Sequence, residues 1–351
     1  MNPPATTIVV TTIQPPTPCM QALAREARGH GLHWLVIGDR KGPPAFDLAP
    51  AEFIPIDEQR QLPYRLARML PEGHYARKNL GYLEAAARGS DRIYETDDDN
   101  GPIPGWAPRS LHVEALRLRA DPVSPWVNIY AAFTAEHIWP RGLPIDRVRH
   151  RIDPDLLAGA EPVSVAAPIQ QGLANGSPDV DAVWRLVLDH DVTFNDMPNL
   201  ILPAGLWSPF NSQNTWWWRP VFPLLYLPSY CSFRMTDIWR SFVAQRCLWE
   251  LGHELEFHRA DVHQTRNEHN LLRDFGDETV GYLRNEEIRH LLEGLPLRPG
   301  YHRLKDNLHR CYEALVDASV VGRGEMALVE AWIEDVDWAA ASGLQATDQR
   351  Q

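Results

Sequence analysis

A parallel, doubly wound α/β sheet is the fold predicted over the first hundred residues. Three observations predict it. Short β-branched runs alternate with helix-length segments, the segments are separated by turn residues, and polar clusters fall where the runs end. In such sheets ligands bind outside the carboxyl ends of the strands, so those clusters should share one crevice.

Residues 8–12 are apolar or β-branched and precede a loop at Pro15-Pro16, which reads as a buried strand. Thr17-Pro18 fits a helix N-cap followed by proline in the first turn, and Gly29 stops that helix after Arg28. Residues 33–37 form a second strand that ends on Gly38-Asp39-Arg40-Lys41. Residues 53–56 form a short third strand, whose Pro55 suits an edge or a strand end. A helical stretch near residues 58–70, a helix over 77–88 and a strand over 92–96 complete the alternation. That strand runs into Asp97-Asp98-Asp99, and strand geometry would point Asp97 and Asp99 one way and Asp98 the other.

Past Gly101 the pattern is irregular and broken by proline until about Gly159. Residues 162–169 read as a strand, 236–254 as a helix, 255–258 as a closing strand and 268–341 as several amphipathic helices. The expected organisation is one unit over 1–268, divided into halves 1–100 and 101–268, with a helical extension over 269–351.

Composition excludes several classes of function. With 44% hydrophobic and 23% charged residues in 351, the chain is that of a folded protein. A net charge of −12 argues against nucleic acid as the partner. The four cysteines lie far apart without a CxxC pair, so neither a disulfide framework nor a zinc site is expected. Met1-Asn2-Pro3-Pro4 lacks the basic start of a signal peptide, and residues 221–233 are too short and proline-broken to span a bilayer. A cytoplasmic protein is the expectation. Peripheral membrane contact and oligomeric state stay open.

Three adjacent carboxylates repel one another, and a divalent metal holding a diphosphate would offset them. Arg77, Lys78 and Asn79 open a helix, where cations oppose the helix dipole but suit a neighbouring diphosphate. Asn175, Asp179 and Asp181, with Asn211, Ser212, Gln213 and Asn214, form two polar clusters suited to sugar hydroxyls. Trp207 and Trp216-Trp217-Trp218 could stack on a sugar ring or base, although three consecutive residues cannot all face one way.

The order of these pieces resembles the nucleotide-sugar half of GT-A-type glycosyltransferases. More closely, Val36-Ile37-Gly38-Asp39-Arg40-Lys41, Arg77-Lys78-Asn79-Leu80-Gly81-Tyr82 and Tyr94-Glu95-Thr96-Asp97-Asp98-Asp99-Asn100 resemble motifs of STELLO-type glycosyltransferases. So do residues 172–182, Phe210-Asn211-Ser212-Gln213-Asn214-Thr215 and Asp237-Ile238-Trp239-Arg240. The resemblance runs from about Thr11 to about His269. The acidic triplet and residues 178–182 are also similar to the reversibly glycosylated polypeptides, which include nucleotide-arabinose mutases.

The resemblance implies a GT-A-like, Rossmann-like, mostly parallel sheet flanked by helices, with a helical C-terminal extension. It implies transfer of a sugar from a nucleoside diphosphate sugar to a hydroxyl acceptor with Mn²⁺ or Mg²⁺, in the synthesis of a glycan or cell-surface polysaccharide. Thr11, Asp39, Arg40, Arg77, Lys78, Asn79, Asp97 and Asp98 would bind the nucleotide sugar. Asp97, Asp99 and His263, with His269 as an alternative to His263, would hold the metal. Asp237 would be the catalytic base at a helix start, against a capping role there. Asn175, Asp179, Asp181, Asn211, Gln213, Asn214, Trp216 and Arg240 would meet sugar or acceptor. The helices after residue 270 would cover the acceptor side or make a dimer contact. A nucleotide-sugar mutase and a non-catalytic scaffold or sensor are the competing readings.

Overall fold

The computed structural model describes residues 6–119, 124–149, 157–267 and 270–348. The first strands are β1 (Thr6–Thr11), β2 (His33–Ile37), β3 (Glu52–Ile54) and β4 (Arg92–Thr96). All three pairings in the order β3-β2-β1-β4 are parallel. Helix α1 (Pro18–Gly29) starts where the sequence places it, with Thr17 Oγ1 accepting from the Met20 N–H. The 58–70 helix does not form. A single turn, α2 (Ile56–Gln59), ends before Pro63, and a short 3₁₀ turn follows at Leu66–Arg68.

Burial on both faces explains why these strands read as continuous apolar runs. On one face Ile8, Val10, Trp34 and Val36 meet Met20 and Leu23 of α1. On the other, Val9, Leu35 and Ile37 meet α3 (Lys78–Ala87). Gly81 makes that approach close, because a Cβ there would sit 2.5 Å from Val9 Cγ1. Each large apolar side chain so buried contributes about 1.5–3 kcal/mol.

Beyond β4 the sheet becomes mixed. Strands β5 (Asn100–Pro102), β6 (His112–Arg117), β7 (Glu161–Ala166), β8 (Ile169–Gly176), β9 (Leu200–Leu202), β10 (Asn214–Trp218) and β11 (Leu255–Gln264) complete an 11-stranded sheet. Its order is β3-β2-β1-β4-β10-β8-β11-β9-β6-β7, with β5 paired to β11. Strand β10 is antiparallel to both β4 and β8, whereas β8 and β11 run parallel. The sheet is therefore parallel in its first half and mixed in its second.

The remaining helices are α4 (Tyr130–Phe133), α5 (Ala182–Val187), α6 (Thr236–Trp249), α7 (Leu271–Glu293), α8 (Leu304–Asp317) and α9 (Glu325–Asp348). The C-terminal helices share the main core. One apolar cluster runs from Val9 to Ala339, and Asp335 of α9 accepts from the Arg65 and Leu66 N–H groups at 2.9 and 2.7 Å. Among the described residues no helix is long and apolar enough to cross a membrane.

Candidate active site

A cleft of about 670 Å³ opens at the carboxyl ends of β1, β2 and β4. From the first hundred residues its lining takes Thr11, Thr12, Gly38, Asp39, Lys41, His74, Arg77 and Asp97–Asp99. From the later part of the chain come Arg141, Asp179, Ser212, Gln213, Asp237, Gln264 and the start of α7. Asp39 and the aspartate triplet do share one crevice. Eight aspartates line it against five Lys or Arg side chains, so an anionic ligand needs local positive charge there.

The triplet does not follow strand alternation. β4 stops at Thr96, and residues 97–99 form a turn closed by the Asn100 N–H on the Asp97 carbonyl. Thr17 Oγ1 bonds the Asp98 carbonyl at 2.5 Å, so the start of α1 pins the turn from outside. All three carboxylates consequently line the cleft, each with its own support. Asp97 takes an ion pair from Lys78 at 2.8 Å, and Asp98 accepts from Thr12 Oγ1 at 2.5 Å. Asp99 accepts from Asn100 Nδ2 at 2.9 Å and Gln264 Nε2 at 3.0 Å. Burial, then the neighbouring Asp97 charge, pushes Asp99 up to about 7. Among the described residues no Lys or Arg side chain forms an ion pair with it.

The Arg77-Lys78-Asn79 run divides into three roles. Arg77 is buried and lines the cleft. Its Nε donates to Gln59 Oε1 at 2.6 Å and its Nη1 to the Leu70 carbonyl at 3.1 Å, whereas Nη2 has no partner. No ion pair neutralises it among the described residues, and burial lowers its pKa. Lys78 is fully buried and committed to Asp97 and the Ser212 carbonyl. Asn79 brackets Leu227, with Nδ2 donating to its carbonyl and Oδ1 accepting from its N–H, each at 2.9 Å. It is a structural clasp outside the cleft lining. Asp39 accepts from the Gly73 and His74 N–H groups at 2.8 and 3.0 Å, which fastens that loop to the cleft wall. Arg40 turns to solvent near Glu72, and Lys41 lines the cleft in its place.

Asp237 lies at the start of α6 and lines the cleft. It does not sit as a free base. Arg141 donates to both of its oxygens at 3.0 Å, Tyr75 Oη to Oδ1 at 3.1 Å and the Ser212 N–H to Oδ2 at 3.2 Å. Burial alone would raise its pKa, but the Arg141 charge and hydrogen bonds outweigh it and hold the carboxyl well below its ordinary range. A carboxylate so stabilised is poorly matched to general-base work near neutral pH. The same guanidinium binds Asp179 at 2.8 Å through both Nε and Nη2.

Other expected residues serve the scaffold. His263 is exposed on the strand face opposite Gln264, its neighbour that reaches Asp99, so it does not complete a metal site. His269 lies outside the described residues. Among those residues no three His, Cys, Asp or Glu side chains converge as a metal cage. Asn175 accepts from the Phe194 N–H, and Asp181 caps α5 through the Trp184 N–H. Asn211 accepts from the Gln213 N–H, and Gln213 itself lines the cleft. Asn214 is buried between Tyr94 and Asp261. Trp216 stacks on Tyr94 at 4.5 Å, and Trp207 and Trp217 are likewise core. Arg240 forms a buried ion pair with Glu95 at 2.8 Å over the Trp217 ring.

Sequence reasoning missed Arg141, Tyr75 and Gln264. Arg141 falls in the stretch without periodicity, where a loop arginine carries no local signal. Gln264 extends β11 six residues beyond its expected end, and a bulge between His258 and Val262 hides the alternation.

Residues 234–342 match the family model of the STELLO glycosyltransferases. The chain is 31% identical to the probable glycosyltransferase STELLO2 of Arabidopsis thaliana over 361 residues, covering 95% of this chain and 43% of that protein. It is 32% identical to the probable glycosyltransferase STELLO1 of the same plant over 266 residues, covering 70% of this chain and 33% of that protein. The chain thus spans less than half the length of the curated relatives it matches. By the family-model match and by alignment across most of its length, this chain belongs to the STELLO glycosyltransferase family.

Proposed function

We propose that the cleft transfers a sugar from a nucleoside diphosphate sugar to a hydroxyl acceptor with the help of a divalent cation. One observation carries the reading. A buried arginine with an unpartnered Nη2, Arg77, lines the same cleft as three clustered carboxylates at the strand ends. A guanidinium without a carboxylate suits a phosphate oxygen, and clustered carboxylates suit a hard cation.

The residues present fit Mn²⁺ or Mg²⁺. Such ions are commonly held by one or two carboxylates plus substrate phosphates, so a complete protein cage is not required. Asp99, supported by Asn100 and Gln264, is the leading ligand, with Asp97 or Asp98 beside it. When bound, the cation would neutralise charge developing on the departing diphosphate. Arg77 and Lys41 would bind phosphate oxygens from the side of β2. Lys78 would keep Asp97 ionised and in place.

The test is calorimetric titration with nucleoside diphosphates, with and without Mn²⁺. Binding that needs the cation and is lost in Asp99→Ala supports the reading. Absence of binding in both conditions would overturn it.

The state of Asp237 favours a second reading, a nucleotide-sugar mutase, because isomerising a bound donor needs no base for an acceptor hydroxyl. Product analysis separates the two. A mutase interconverts ring forms of its donor without acceptor, whereas a transferase at most hydrolyses it.

A further inference from the structure

One wall of the cleft is a continuous chain of polar contacts. Asp97 binds Lys78, Lys78 binds the Ser212 carbonyl at 3.3 Å, and the Ser212 N–H binds Asp237 at 3.2 Å. Asp237 then binds Arg141, which binds Asp179. The wall begins at the aspartate turn. A group attached to a diphosphate held at that turn would lie against Asp237, Arg141 and Asp179.

We propose that this wall reads the hydroxyls of the transferred sugar through Asp179 and admits uncharged sugars while excluding those that carry a carboxylate. The inference rests on the nucleotide-sugar reading above and adds the class of sugar.

Its first support is the unused accepting capacity of Asp179. A carboxylate oxygen can accept about two hydrogen bonds. Each oxygen of Asp179 receives one, both from Arg141. On Asp237, by contrast, Oδ1 receives Arg141, Tyr75 and the Ile238 N–H, while Oδ2 receives Arg141 and the Ser212 N–H. Asp237 is saturated and acts as a positioning residue. Asp179 keeps room for two hydroxyl donors and is fixed in orientation by a bidentate guanidinium.

Charge supplies the second support. The wall holds Asp97, Asp179 and Asp237, and its cations are already committed. Lys78 is buried on Asp97, Arg141 spends its donors on two carboxylates and the Arg234 carbonyl, and Arg234 is held by Glu278. A sugar carboxylate placed against Asp179 and Asp237 would meet two anions whose shared guanidinium is already spent on both. The remaining arginine of the lining, Arg273, pairs with Asp277 from the start of α7. Neutral hydroxyls carry no such penalty, and like charges in a partly desolvated site repel strongly. The guanidinium of Arg77 is anchored on Gln59 and the Leu70 carbonyl, and in the reading above its unpartnered Nη2 is spent on the diphosphate.

The experiment uses pairs of nucleoside diphosphate sugars that differ only at C6, hydroxymethyl against carboxylate, with glucose and glucuronate on the same diphosphate. Bare diphosphates titrated first with Mn²⁺ choose the base. The neutral sugar nucleotide should bind at least roughly tenfold more tightly than the uronate. Asp179→Asn should narrow that ratio to within roughly threefold by improving uronate binding, while leaving the bare diphosphate unchanged. A uronate that binds wild-type protein as tightly as the neutral sugar overturns the inference. A ratio unchanged in a folded Asp179→Asn overturns the role of Asp179. If no bare diphosphate binds with or without the cation, the nucleotide-sugar reading itself fails, which separates the two failures. Should Asp179→Asn not fold, the wild-type comparison decides alone.

Discussion

Arg141 donates one hydrogen bond to each oxygen of Asp237 and holds Asp179 in a second bidentate pair. One guanidinium therefore joins the loop after α4, the loop after β8 and the start of α6. It also holds the Asp237 carboxyl well below its ordinary range.

Replacing Arg141 with methionine should be costly, because it leaves the buried Asp237 and the half-buried Asp179 uncompensated. A loss of about 3–5 kcal/mol in unfolding free energy is expected, read by urea denaturation. An unfolding midpoint close to that of the wild type would show that the pair contributes nothing.

Asp237→Asn should lower turnover by less than about 100-fold and leave the acid limb of the pH–rate profile in place. Removing a true general base costs about 10²–10⁴ in rate. A larger loss with the acid limb abolished, and donor binding intact, would return the base role to Asp237.

Arg77, which opens the basic run beside the aspartate turn, and Asn79, which ends it, should behave differently. Arg77→Met should weaken nucleoside diphosphate binding by about 1.5–3 kcal/mol, the worth of a charged hydrogen bond, and also lose about 1–3 kcal/mol of stability for the unpaired Gln59 and Leu70 acceptors. Asn79→Ala should cost stability alone, about 1–3 kcal/mol for the unpaired Leu227 groups, with donor affinity unchanged. Titration and denaturation run on both variants check the split.

Arg240→Met should destabilise by about 3–5 kcal/mol, since Glu95 would keep only Tyr82 and Trp217 as partners in a dry core. Donor affinity in the folded fraction should not change. A selective loss of sugar binding would instead restore Arg240 to the site.

Stability should fall as pH rises from about 5 to about 7. Burial, against the pull of Arg109, raises Glu256 to about 7, and burial raises Asp181 to about 6. Over that interval the folded chain keeps protons that the unfolded chain has already lost. The unfolded state thus binds fewer protons and the slope of stability against pH is negative. Thermal unfolding should occur at a higher temperature near pH 5.5 than near pH 8, and Glu256→Gln should flatten the difference.

Much of the first hundred residues was legible because their signals are local. The Thr17 cap and the β-branched runs of β1 and β2 each act within a few residues and appear where read, whereas α1 runs through Gly29 and the left-handed turn falls at Gly31. The second half was less so. Its strands pair across long separations, so β10 enters between β4 and β8, an insertion that no local pattern announces. The tryptophans illustrate the limit. Trp216 and Trp217 point to opposite faces as expected, yet both faces are buried by elements far away in sequence.

By itself the sequence determined that an acidic turn ends a buried parallel strand beside a basic helix start, because both are consequences of short-range pattern and strand-end geometry. It also determined the family, through motifs kept in order. Only the tertiary structure decided which charges remain available. Lys78 and Asp97 cancel, Arg141 quenches Asp237, and Arg77 alone in its run is left buried with a donor unspent. Charge pairing depends on distances of about 3 Å between residues remote in sequence, and no local periodicity encodes it.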